Sequence, residues 1–462
     1  MHMTFLGAAG TVTGSKYLLQ HHDHHVLIDC GLFQGYKQLR LHNWDALPFP
    51  IGELDAIVLT HAHLDHSGYL PVLVRNGYRG PVYATPATCD LLKILLLDSG
   101  RLQEEEAEFA NRHGFSKHSP AAPLYTEQDA ERALKLLRPI ELHNRIEIVT
   151  GMTLQLRGAG HILGAATVEV VADGVTLVCS GDLGRPDDPL MFAPETIEQA
   201  DYLLVESTYG DRKHPAELPE EQLADVITRT ALRHGITLVP SFAVGRAQLL
   251  MYHLYRLKQQ HLIPDVPIYL NSPMATDVTT LYQRFRSEHR LTAPECEGMC
   301  HVAKFVRTTE DSIRLDQQRT PAVIIAASGM ATGGRVIHHL KALAPNPINT
   351  LLVPGFQAGG TRGAQIVAGA PSVRIHGKEV PIRAEVVPMQ SLSAHADADE
   401  IMQWLRGFKQ PPKHTYVVHG EPNASDVLRR RISLELGWSV SVPEYRDSVE
   451  LSATDHPSNI SG

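Results

Sequence analysis

Short apolar runs separated by glycine-rich turns open the chain. Thr4 to Leu6, Lys16 to Gln20 and Val26 to Asp29 read as strands, punctuated by Gly7, Gly10, Gly14 and Gly31. Between two of them lies His21-His22-Asp23-His24-His25. This run reads as an exposed hairpin turn rather than a metal site, since a mobile loop does not hold ligand geometry. Asp55 to Thr60 is a buried-strand pattern that runs into a histidine cluster. Leu70 to Arg75 reads as a helix capped by Asn76-Gly77. Leu91 to Phe109 reads as a longer helix whose Glu104, Glu105, Glu106 and Glu108 make a solvated face. Strands resume at Ile146 to Leu156, Thr167 to Ala172, Thr176 to Cys179 and Leu203 to Glu206.

From about residue 210 the pattern changes. Apolar runs at Ile236 to Val239, Pro267 to Leu270, Ala322 to Ala326 and Thr350 to Val353 alternate with helical stretches at Gly245 to Gln259, Thr276 to Phe285 and Gly334 to Leu343. Such alternation implies a parallel sheet covered on both faces. Near Arg383 to Val387 short strands return, and Tyr416 to His419 is a strand followed by a helix from Ala424. The chain is long for one compact core. The expected organisation is a first domain over 1–209, an inserted α/β domain over 210–384, and a segment over 385–462 that completes the first domain.

Composition narrows the classes. The formal net charge of −9 argues against a strongly basic nucleic-acid binder of the histone type but allows a local basic groove. Cys30, Cys89, Cys179, Cys296 and Cys300 have no paired spacing and read as reduced thiols. The N-terminus lacks a basic region followed by a long apolar run, and no apolar run is long enough to span a bilayer. A cytoplasmic protein with no membrane partner is expected.

The chemistry concentrates at Thr60-His61-Ala62-His63-Leu64-Asp65-His66. Four metal-binding side chains follow a buried strand within six residues. One loop can thus supply half the shells of two metals, with His61 and His63 on one side and Asp65 and His66 swung to a neighbouring point. Imidazole and carboxylate suit zinc, and manganese or iron are accepted alternatives. His161 lies among glycines in Gly158-Ala-Gly-His161-Ile-Leu-Gly164, and Asp182 follows the strand Thr176 to Cys179. Asp182 is placed to bridge both metals.

At Asp29, His61 to His66, His161 and Asp182 the sequence resembles the metallo-β-lactamase superfamily, which implies an αββα sandwich. By that resemblance His61, His63 and His161 hold one zinc, Asp65 and His66 hold the other, and Asp182 bridges them. Asp29 orients ligand histidines from outside the shell. Since that fold hosts many chemistries, further motifs must decide. Val205-Glu206-Ser207-Thr208-Tyr209-Gly210-Asp211, Leu392-Ser393-Ala394-His395-Ala396-Asp397 and Val418-His419-Gly420-Glu421 resemble the three additional motifs of the β-CASP nucleases. That family's hallmark is an inserted α/β domain. Pro240 to Arg246 and Ala327 to Arg335 fit the same pattern. The resemblance covers nearly the whole chain and points to prokaryotic homologues of the endonuclease subunit of the cleavage and polyadenylation specificity factor.

The resemblance implies roles. His419 completes the second zinc shell, and its presence points to RNA, because members acting on DNA typically lack that histidine. His395 is the general acid, and Glu206 favours its protonated form. With Asp29 and Asp182 these form the expected catalytic set. Ser241, Arg246, Ser328, Arg335 and Arg362 are candidate substrate contacts, the arginines lying beside glycines at strand-to-helix junctions where phosphate binds readily. Ala364 stands where many relatives carry another arginine, which leaves phosphate binding at that corner open.

The implied reaction is two-zinc hydrolysis of single-stranded RNA in the cleft between the domains. A bridging hydroxide is the nucleophile and His395 protonates the leaving 3′ oxygen, giving 5′-phosphate and 3′-hydroxyl ends. Internal and 5′-to-3′ exonucleolytic cutting both stay open, as does a homo-oligomer. Two other classes remain: a metallohydrolase acting on a small ester or thioester, which needs no inserted domain, and a silent RNA-binding subunit, which predicts broken metal motifs.

Overall fold

The structure is a computed structural model that describes residues 1–114, 118–215 and 217–453. Two seven-stranded sheets face each other. The first runs in the order Ser448–Glu450, His2–Phe5, Tyr17–His21, His24–Ile28, Leu54–Val58, Val82–Ala84 and Leu137–Pro139. The second runs Val440–Ser441, His414–Val418, Tyr202–Glu206, Val175–Cys179, Ala166–Ala172, Met152–Gly158 and Arg145–Val149. Alternate residues of each strand point into the space between. Met3, Phe5, Val26, Ile28 and Val58 of the first sheet meet Leu154, Val168, Val170, Leu177 and Leu204 of the second. The intervening residues face outwards under helices. Leu18, Leu27 and Ile57 join the cluster of helices Leu70–Arg75 and Pro86–His113. On the far side Val178, Leu203, Val205 and Val417 pack with Ile401, Met402 and Leu405 of the helix Ala398–Leu405. The result is helix, sheet, sheet, helix.

Several elements differ from the pattern reading. Ile146 to Leu156 is not one strand but an antiparallel pair, Arg145–Val149 and Met152–Gly158, reversed at Gly151 with φ 78°. The helix expected from Leu91 starts earlier, at Pro86. Thr85 accepts a hydrogen bond from the Thr88 N–H, and proline occupies the first turn, where its missing N–H costs nothing. The histidine run is a hairpin whose turn is only His22-Asp23, with His21 and His24 paired in the flanking strands.

The inserted unit is a six-stranded parallel sheet in the order Lys304–Phe305, Ile268–Asn271, Ala322–Ala326, Ile236–Pro240, Thr350–Pro354 and Glu385–Met389. Both faces are covered. Val323 and Ile325 join the cluster containing Leu249 and Leu250 of helix Arg246–Gln259, while Ile324 joins Val336, Ile337 and Leu340 of helix Val336–Leu343. By strand pairing the return to the sandwich follows Met389, one strand later than the change of pattern at residue 385 suggested. Glu385–Met389 extends the inserted sheet by pairing in parallel along Thr350–Pro354. All five cysteines are buried and free. Among the described residues no helix is long and apolar enough to cross a membrane.

Candidate metal centre

Parallel pairing brings several strand ends to one edge of the sandwich. His24–Ile28 and Leu54–Val58 run parallel, and their carboxyl ends deliver Asp29 and the His61–His66 loop. Val175–Cys179, Tyr202–Glu206 and His414–Val418 also run parallel and deliver Asp182, Glu206 and His419. Asp29 and His419 both take positive φ, 59° and 50°. Such strain in non-glycine residues gathers at functional sites.

Two donor groups form around Asp182. In the first, His63 Nδ1 lies 3.1 Å from His61 Nε2 and 3.2 Å from His161 Nε2, and Asp182 Oδ2 lies 3.5 and 3.6 Å from those two Nε2 atoms. In the second, His66 Nε2 is 3.0 Å from His419 Nε2 and 3.3 Å from Asp182 Oδ1, and Asp65 Oδ2 is 3.7 Å from His419 Nε2. Asp182 Oδ1 is buried with no hydrogen-bond partner. Burial lowers the pKa of His61, His161 and His63, the last to about 4, so these rings are neutral with lone pairs to offer. His66 goes the other way. Burial disfavours its charge, but Asp182 and Asp29 outweigh that and raise its pKa well above the ordinary value. Burial would likewise raise Asp182, but His419, His66, His395 and His61 together hold it well below. Converging lone pairs and buried carboxylates call for a cation, and the donor set fits a divalent transition ion in each group.

Outer partners orient the donor side chains. Asp29 accepts from Ser15 Oγ at 2.8 Å, the Thr60 N–H at 2.8 Å and His66 Nδ1 at 2.7 Å. That last bond leaves His66 Nε2 turned towards Asp182 and His419. Thr208 Oγ1 does the same for His419, 3.1 Å from its Nδ1. Gly31 passes so close to the ligand loop that a Cβ there would lie 1.6 Å from the Asp65 carbonyl oxygen.

Beside the two groups stands His395. Its Nδ1 is 3.2 Å from Glu206 Oε1 and 3.9 Å from Asp182 Oδ2, and its ring lies 4.4 Å from that of His161. Glu206 is buried and held by the Leu183 and Thr208 N–H groups at 2.8 and 3.1 Å. Burial would lower the His395 pKa, but Glu206 and Asp182 outweigh it and raise it above the ordinary value. The proton is therefore retained at higher pH than in a free imidazole.

The five candidate substrate contacts lie in the inserted unit, and most of their polar atoms are already engaged. Ser241 is buried and its hydroxyl donates to the Phe242 carbonyl. Ser328 Oγ accepts from the Thr332 and Gly333 N–H groups. Arg335 donates to Asn271 Oδ1 and to the Val306 and Arg307 carbonyls. Arg362 donates to the Arg374, Ala331 and Thr332 carbonyls. Arg246 differs. It is buried over the Phe242 ring, donates from one Nη to the Pro354 carbonyl, and leaves Nε with no hydrogen-bond partner. The Phe242 ring is 6.3 Å from that of His63. Where the two units meet, a cavity of about 220 Å³ is lined by Thr11, Thr13, Tyr36, Gly359 and Glu421.

Some participants carry no role in the sequence reading. Thr60 and Thr208 adjoin ligand or motif residues, so their neighbourhood was a signal. Ser15 and His214 had none. His214 Nε2 is 2.9 Å from the His395 carbonyl oxygen, and this contact spans 181 positions.

The sandwich with its inserted parallel sheet and clustered donor groups defines a metallohydrolase architecture. Three family models match in succession: the metallo-beta-lactamase superfamily over 9–221, the Beta-Casp domain over 247–366, and the Zn-dependent metallo-hydrolase RNA specificity domain over 379–443. Ribonuclease TTHA0252 of Thermus thermophilus is 39% identical over 97% of this chain and 100% of its own length. The transcription termination factor FttA of Methanocaldococcus jannaschii is 33% identical over 93% of this chain and 69% of its own. A crystal structure of a protein of unknown function from Enterococcus faecalis V583 shares the fold, with TM-score 0.53 at 15% identity, covering 97% of this chain and 99% of that one. The chain belongs to the β-CASP family of the metallo-β-lactamase superfamily.

Proposed function

We propose that this protein is a ribonuclease that holds two Zn²⁺ and hydrolyses single-stranded RNA to 5′-phosphate and 3′-hydroxyl ends. The observation that carries the reading is the His395–Glu206 pair, 3.2 Å apart and set directly against Asp182 and His161. A relative named as a ribonuclease and a matched RNA specificity model point the chemistry to RNA.

His61, His63, His161 and Asp182 would hold one ion, and Asp65, His66, His419 and Asp182 the other. Zinc bound there would make a water more acidic and would offset negative charge on the phosphate. The protein's own groups do the rest. Glu206 occupies His395 Nδ1, which leaves Nε2 to give its proton to the leaving 3′ oxygen. Arg246 offers a buried, carboxylate-free guanidinium to a phosphate. A buried centre suits an unpaired strand, whereas a duplex would keep its scissile bond from reaching it. Five buried free thiols accord with a reducing, cytoplasmic setting.

The test uses labelled single-stranded RNA and a chromogenic ester, with and without chelator. RNA is expected to be cut, chelation to stop it and zinc to restore it. His395→Ala should lose about 10²–10⁴-fold in cleavage while retaining both ions. Unchanged turnover in that variant, or ester hydrolysis in place of RNA cleavage, overturns the reading.

A further inference from the structure

The hairpin His21–His25 lies at the opposite end of the sandwich from the candidate centre. Strand His24–Ile28 leads from its turn to Asp29, and strand Val175–Cys179 leads from the turn Asp173-Gly174 to Asp182. At about 3.3 Å rise per residue the two ends are separated by roughly 20 Å. The turns belong to different sheets, and they meet. His21 Nε2 is 3.7 Å and His22 Nε2 is 3.4 Å from Asp173 Oδ2.

His21 is the decisive residue. It is 2% exposed, and its Nε2 is buried without a hydrogen-bond partner. An unsatisfied buried nitrogen is costly unless something occupies its lone pair. The ring is aimed at Asp173, with the other imidazole beside it at a centroid separation of 4.2 Å. A tetrahedral zinc site with bonds of about 2.0–2.1 Å has donor-to-donor edges of about 3.3–3.4 Å. The two edges to Asp173 are close to that, and all three donor atoms lie within 4.8 Å of one another. The objection raised by the sequence, that a loop is too mobile to hold ligands, does not apply to this geometry. Both turns are two residues long and each is clamped by paired strands.

We propose that His21, His22 and Asp173 form a second, separate site for a divalent transition ion such as Zn²⁺, which ties the two sheets together. His22 and Asp173 are exposed, so the ion enters from solvent and water completes the shell. The site shares no ligand with the candidate catalytic centre, and its role is structural.

The test is equilibrium dialysis of the full chain against graded Zn²⁺, with bound metal counted by elemental analysis, alongside His22→Ala and Asp173→Asn. Both substitutions are at exposed turn positions and leave the core untouched. The unaltered protein should take up one more equivalent of zinc than either variant, and all three should cleave RNA at the same rate. Zinc should also raise the melting midpoint of the unaltered protein more than that of the variants. Equal zinc uptake by all three overturns the proposal and leaves His21, His22 and Asp173 as an ordinary charge cluster. Absence of RNA cleavage in every sample counts against the nuclease reading alone, since the uptake difference still decides the second site.

Discussion

Asp29→Asn exchanges one carboxylate oxygen for an amide nitrogen and, by the hydrogen-bond pattern, reverses the tautomer of His66, a proposed metal ligand. Asp29 Oδ1 accepts from the Thr60 N–H at 2.8 Å, and Oδ2 accepts from His66 Nδ1 at 2.7 Å. The Thr60 N–H is a fixed donor, so the asparagine oxygen must face it and the NH₂ must face His66. His66 then accepts at Nδ1 and carries its proton on Nε2, the nitrogen 3.3 Å from Asp182 Oδ1 and 3.0 Å from His419 Nε2. A protonated Nε2 has no lone pair for a metal. The opposite amide orientation sets NH₂ against the buried Thr60 N–H and costs about 1–3 kcal/mol. Loss of an outer partner of this kind lowers metal affinity about 10–100-fold, equivalent to about 1.4–2.7 kcal/mol. Zinc titration of the chelated protein, followed by RNA cleavage on the same samples, reads the effect. The ion held by His66 should weaken by that factor, the one held by His61, His63 and His161 should change less, and cleavage should fall with the first. Wild-type affinity at both positions together with wild-type cleavage would refute the reasoning.

Glu206→Gln removes the carboxylate that keeps His395 protonated, so the His395 pKa should fall. The alkaline limb of the cleavage profile should move to lower pH, with activity partly recovered in acid; a profile that only drops in height argues against the proton role. Gly31→Ala forces a Cβ to 1.6 Å from the Asp65 carbonyl oxygen, so the ligand loop must shift. Metal content should drop in that variant while circular dichroism stays native. Arg246→Gln should raise KM for RNA about 10-fold or more with kcat less affected, as for a lost charge-assisted phosphate contact of about 1.5–3 kcal/mol; steady-state kinetics on a defined oligonucleotide gives the split.

Most of the secondary structure was legible as alternation and runs. The Asp55 to Thr60 pattern, the Leu70 to Arg75 helix and the four expected strands at Ile236, Pro267, Ala322 and Thr350 all appear within a residue or two of their expected bounds, while the short strand Lys304–Phe305 was not expected. Glu385–Met389 shows the limit. Its apolar pattern marks a strand, yet which sheet it joins depends on its pairing partner in three dimensions. The arginines show another limit. Arg335 and Arg362 sit at the expected junctions, but only the fold reveals that backbone carbonyls take up their donors, while Arg246 keeps one free.

By itself the sequence determined the ligand chemistry. His61, His63, Asp65 and His66 are four donors behind one buried strand, and that local spacing admits few readings besides a pair of metal shells. It also carried the motifs around Glu206, His395 and His419. Tertiary structure alone decided which nitrogen of His66 and of His419 faces the donor cluster, because Asp29 reaches His66 across 37 positions and Thr208 reaches His419 across 211. It likewise placed His21, read from the sequence as part of an exposed turn, as a buried donor facing Asp173 on the other sheet. Donor type is a property of a residue, whereas the direction of a lone pair is set by the partners that parallel strand ends bring together.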